Sequence, residues 1–105
     1  MMVFLDTHIV VWMYQKSLNL LTPQAKKAME ENDLFISPIV ALELEYLYEI
    51  GRIKDNAKTI LAYLEQKIGL KIDKAGFAVV ADMALMEKWT RDPFDRLIVA
   101  HSNYR

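Results

Sequence analysis

An α/β domain with a mainly parallel sheet is the fold this sequence predicts. Three observations carry that expectation. Met2-Val3-Phe4-Leu5 and Leu34-Phe35-Ile36 are short apolar runs without in–out alternation, as suits strands covered on both faces. Such runs alternate with stretches of helical character, the order that lays strands side by side in one sheet. The chain has 105 residues, enough for one small domain and not two.

Each element has a local reason. Met2 to Leu5 makes the first strand, and Asp6 ends it. Thr7 can cap a helix from Ile9 to Tyr14. Thr22-Pro23 is a cap followed by proline, which predicts a helix from Gln24 to Asn32. Leu34-Phe35-Ile36 is the second strand. Ser37-Pro38 opens a helix to about Ile50, with Gly51 as its stop. Asn56 starts a helix through Ile68, closed by Gly69. Leu70-Lys71-Ile72-Asp73 is the third strand. Residues 76 to 88 read as a helix with Ala78, Ala81, Ala84 and Leu85 near one face. The last helix runs from Pro93 to about Ser102. The sequence has no internal repeat, low-complexity tract or linker, and three short strands make a thin sheet.

Composition narrows the function classes. Hydrophobic residues make up 53%, which gives a core and excludes a disordered tail. The absence of cysteine excludes disulfides and thiolate metal sites and fits a reducing, cytoplasmic setting. The N-terminus lacks the pattern of a secretory signal. No apolar run nears the roughly 18 residues a membrane span needs, so no membrane partner is expected. The net charge of -1 gives no global basic signal for nucleic acid. Arg52, Lys54, Lys58, Lys88, Arg91 and Arg96 could form a local basic patch or simply a solvated surface.

Four acids do not read as ordinary surface. Asp6 closes the first strand, where open parallel sheets place their ligands; its other reading is a helix cap. Glu43 falls inside the apolar arc of Ile39, Val40, Leu44, Leu47 and Ile50 on a helical wheel, whereas Glu45 and Glu49 fall on the opposite, solvated side. A Glu reaching water or Arg52 from the arc's edge is the alternative. Asp92-Pro93-Phe94-Asp95 resembles a capping box, so Asp92 reads mainly as a cap. Asp95 shares a face with Ile98 and Val99 and reads mainly as a site residue. Carboxylates converging at a sheet edge repel one another, and a hard divalent cation such as Mg²⁺ relieves that repulsion. Zinc is a poor fit without cysteine and with only two histidines. His8 and His101 read as surface or helix-face residues, not ligands. The aromatics read as core and interface, with Trp12 and Tyr14, and Tyr46 and Tyr48, available to a partner-binding groove.

Leu5-Asp6-Thr7-His8, Ser37-Pro38 followed by Glu43, and Arg91-Asp92-Pro93-Phe94-Asp95-Arg96-Leu97-Ile98-Val99-Ala100 resemble the PIN-domain ribonucleases, most closely the VapC-type toxins of type II toxin–antitoxin pairs. The resemblance runs over essentially the whole chain, and the Asp-Pro-Phe-Asp-Arg run is its most specific part. It implies a three-layer α/β/α sandwich and metal-dependent cleavage of RNA. Asp6, Glu43 and Asp95 match the family's first three acids, with Asp92 a neighbour of varying role, and Mg²⁺ or Mn²⁺ is the implied cofactor. A homodimer and a cognate antitoxin are the implied partners. Arg91 or Arg96 would steady phosphate. The family usually continues with another strand, a fourth acid close after Thr or Ser, and a last strand. No residue here matches that acid, which predicts a C-terminally short domain, a weaker metal site and reduced or absent activity. Two other readings follow: a non-catalytic module on the same fold that binds or titrates an antitoxin, and an aspartyl-phosphate phosphatase. The last is disfavoured because His8 stands where that chemistry wants a second acid.

Overall fold

Three strands form one parallel sheet, and it is small because each strand is short. In the computed structural model, which describes residues Met1 to Arg105, β1 is Met2–Phe4, β2 is Asp33–Ile36 and β3 is Lys71–Ile72. The spatial order is β1-β2-β3, with Phe4 opposite Phe35 and Ile36 opposite Ile72. The helices are α1 (Thr7–Tyr14), α2 (Pro23–Glu31), α3 (Pro38–Glu49), α4 (Ala57–Ile68), α5 (Phe77–Ala84) and α6 (Pro93–Tyr104), with a 3₁₀ turn at Leu18–Leu20. The α/β class with a parallel sheet is as expected.

Alternation along β2 sends its side chains to opposite faces. Leu34 and Ile36 are buried against Val10 of α1, Val40 and Leu44 of α3, and Ile60 and Leu64 of α4. Phe35 points the other way and pairs with Phe4, whose ring meets His101 of α6 at 5.2 Å. Helices therefore cover both faces. Burial of each large aliphatic side chain in the main cluster contributes about 1.5–3 kcal/mol.

The cap-then-proline pairs do what their chemistry dictates. Thr22, Ser37 and Asp92 each accept a hydrogen bond from a backbone N–H of the helix they begin, and Pro23, Pro38 and Pro93 sit where a missing N–H costs nothing. Asn56 Oδ1 accepts from Thr59 N at 2.9 Å. Gly69, at φ 70°, closes α4 in the left-handed conformation that suits glycine. Asn56→Ala should lower stability by about 1 kcal/mol, read as an earlier urea midpoint with an unchanged slope.

Four expectations need correction. The strand expected over 70–73 shrinks to Lys71–Ile72, although Asp73 N still bonds Ile36 O at 2.9 Å. The helix expected over 76–88 ends at Ala84. Beyond it the backbone tightens into i→i+3 bonds such as Glu87 N to Ala84 O, because Leu85 and Met86, 65% and 75% exposed, have nothing to pack on. Its buried face is Val80 and Ala84 against Ala100 of α6, not Ala78 and Leu85. Glu45 is not a solvated acid: its Oε1 accepts from Ala57 N and so caps α4 from a distance. No helix is long and apolar enough to cross a membrane.

Candidate active site

The acidic centre begins where β1 hands over to α1. Asp6, not Thr7, is the N-cap of α1: its Oδ1 accepts from Ile9 N at 3.0 Å. Its second oxygen is left for other work, and the residue is exposed. Thr7 is instead 2% exposed, and its hydroxyl donates to Glu43 Oε1. That bond brings α3 to the start of α1 and sets Glu43 beside the residue that follows Asp6. Glu43 keeps Oε2 free. Its half-buried position follows from the arc it shares with the buried Val40 and Leu44.

Asp95 enters from the first turn of α6. Its carboxyl is pushed above the usual carboxylate range, first by burial and then by the negative charges of Asp92 and Asp6; His8 pulls the other way. The last turn of β1's connection and the first turn of α6 are thus electrostatic neighbours. Asp92 is tied into the cap of α6 through Phe94 N at 2.8 Å, the role expected for it. His8 is exposed, its ring 6.4 Å from that of Trp12.

A raised carboxyl means that ionisation costs the folded state. Asp95 therefore favours folding fully below the ordinary value of 3.8 and loses that contribution as pH rises through its higher folded value. Asp95→Asn should hold the urea midpoint at pH 7 at or above that of the parent, and should flatten its dependence on pH in this window.

The remaining candidates sit as follows. Arg91 is exposed. Arg96 Nε donates to Thr90 O at 2.7 Å, so one donor braces the turn before α6. Tyr46, one turn along α3 from Glu43, stacks on Phe94 with ring centroids 6.2 Å apart and planes at 28°. Tyr14 is turned away: its hydroxyl donates to Asp55 at 2.7 Å, and its ring packs edge-on to Tyr63.

One polar cluster escaped sequence reasoning. His101, expected at the surface or on a helix face, lies on the inward face of α6 and is 2% exposed. Its Nε2 meets Asp73 Oδ2 at 2.7 Å, and Arg105 grips the same carboxylate through Nε at 2.8 Å. Burial alone would raise the Asp73 carboxyl, but the hydrogen bonds from Arg105 and His101 outweigh it and hold it below the usual range. His101 lies four residues after Leu97 and three after the buried Ile98, so helical spacing could have placed it inward.

Hard carboxylate oxygens suit Mg²⁺ or Mn²⁺, and the mutual effect of Asp6, Asp92 and Asp95 is one a cation would relieve. As the side chains stand, no group of three His, Cys, Asp or Glu residues is arranged to hold a metal ion; Asp6 turns one oxygen to its helix and Glu43 one to Thr7. A family model described as PIN domain matches residues 3–105. No curated protein and no solved structure matches the chain significantly.

Proposed function

The chain belongs to the PIN domain family, and from that premise we propose that it is a Mg²⁺- or Mn²⁺-dependent endoribonuclease, the toxin component of a toxin–antitoxin pair. PIN domains are generally nucleases, often found in toxin–antitoxin systems, and usually use divalent metals. The observation that carries the reading is the crowding of negative charge around Asp95, whose carboxyl is raised by burial and by Asp92 and Asp6. A partly buried carboxyl whose charged neighbours shift it, beside a Glu43 held by Thr7, favours a functional site over a solvated surface.

When bound, a divalent ion lowers the pKa of a water ligand and offsets charge on phosphoryl oxygens. The chain's own residues do the rest. Asp6, Glu43 and Asp95 offer the oxygens, Asp6 from the end of β1 and Asp95 from the start of α6. Thr7 fixes Glu43 by one oxygen. Asp92, committed to its cap, contributes charge to the group. Arg91 is the phosphate-steadying residue, with Arg96 offering the guanidinium donors that Thr90 leaves free.

A cognate antitoxin and a second copy of the chain are the proposed protein partners, and the cytoplasm the proposed setting. Exposed Leu42, Phe77, Met86 and Trp89, between 57% and 75% accessible, supply apolar surface for them. Calorimetric titration with Mn²⁺ tests the reading. The parent chain should bind, and Glu43→Gln should weaken binding by about tenfold or more, at least what an outer-sphere ligand partner is worth. A folded parent chain that binds no Mn²⁺ would replace this reading with the non-catalytic, antitoxin-binding module.

A further inference from the structure

We infer that Tyr46, backed by Phe94, is a stacking platform for an unpaired base of the nucleic acid held at the acidic centre; the inference rests on the nuclease reading. Tyr46 lies three residues, about 4.5 Å of axis, beyond Glu43 on α3, and residues three apart share a helix face. Phe94 directly precedes Asp95. The pair therefore joins two of the three elements that supply the acids, and it does so on the outside of the molecule.

Core packing does not account for the arrangement. The inward side of α3 is already filled by Val40 and Leu44, both fully buried. Tyr46 is 49% exposed, while Phe94 beneath it is half-buried. The phenol ring lies alongside Phe94, with centroids 6.2 Å apart and planes at 28°. That contact favours one orientation of the ring. A preset aromatic plane with an accessible side, one turn from a phosphate-binding centre, is what a base needs in order to stack without ordering the protein first. Any base has a π-face, so the platform selects unpaired nucleotides over paired ones without reading sequence.

The test is equilibrium binding of a labelled single-stranded RNA to the full chain in Ca²⁺, by fluorescence anisotropy, with a gel confirming that the RNA stays intact. A ribose-phosphate strand of equal length without bases is the control. Tyr46→Ala and Tyr46→Leu should weaken RNA binding about 5- to 100-fold, the range expected for losing one stacked base. Leucine keeps an apolar contact with Phe94, and circular dichroism checks that both variants fold. Tyr46→Phe should bind like the parent, and all four proteins should bind the baseless strand alike. RNA binding unchanged in the alanine and leucine variants, or an equal loss on the baseless strand, would overturn the platform while leaving the nuclease reading in place. A parent chain that binds no RNA would instead remove the nuclease reading and the platform with it.

Discussion

Asp6→Asn is expected to cut metal-dependent RNA cleavage by more than about 100-fold, beyond the loss that follows from removing a group one sphere out from a metal. The substitution separates two jobs that one side chain performs. Asp6 caps α1 through Ile9 N, and asparagine is as good a cap as aspartate. The helix should therefore start as before, and the melting profile should change little. What disappears is one negative charge beside Asp95, whose carboxyl feels it. The Asp95 carboxyl should then move back toward its ordinary range. Time courses of RNA cleavage in Mn²⁺, with EDTA controls, read the first effect; circular dichroism reads the second. Cleavage at the parent rate in a folded Asp6→Asn chain would remove Asp6 from the mechanism.

The largest stability effect is expected at Asp73. Its side chain is 9% exposed and is held by His101 and Arg105. Asp73→Ala strands the buried His101 ring nitrogen and frees Arg105, and leaving a buried polar group without its partner costs about 1–3 kcal/mol. For a domain of this size, that shift should be plain in the urea midpoint. Arg105→Ala should shift the midpoint far less, since the Arg105 side chain is 37% exposed and solvent screens it. The sign of the pH effect follows from the lowered Asp73 carboxyl. Its stabilisation is present above the unfolded value of 3.8 and is lost as pH falls through the lower folded value. Urea midpoints across that acid range should fall more steeply for the parent than for Asp73→Ala. Equal midpoints at neutral pH would mean that the cluster contributes nothing to the fold.

Local signals proved legible and distant ones did not. Thr22-Pro23, Ser37-Pro38 and Asp92-Pro93 announced helix starts because a cap and a proline act within four residues. Gly51 and Gly69, at φ 79° and 70°, marked helix ends for an equally local reason. Asp92 as a cap followed from the same logic. Glu45 did not, because its partner, the N–H of Ala57, lies twelve residues on. His101 and Asp73 are 28 residues apart, and nothing in either neighbourhood names the other. Thr7 was misread for a related reason. Capping can be done by either of two adjacent residues, and the choice fell to Asp6 once Thr7 was drawn to Glu43, 36 residues away. Of the two readings open to Asp6, the hydrogen bond from Ile9 N shows the cap.

The position of β1 at the rim of the sheet ties the acidic centre to local opening of the chain. Only β2 holds β1, and Leu5 N to Phe35 O is the last backbone bond before Asp6. Short rim strands open at a fraction of the cost of global unfolding, and such an opening would carry Asp6 away from Asp95. An ion that needs both carboxylates would bind only the closed form, and by mass action it would suppress the opening. Amide hydrogen exchange at Leu5 should therefore slow as Mn²⁺ is added, while exchange at Leu64, deep in α4, stays constant.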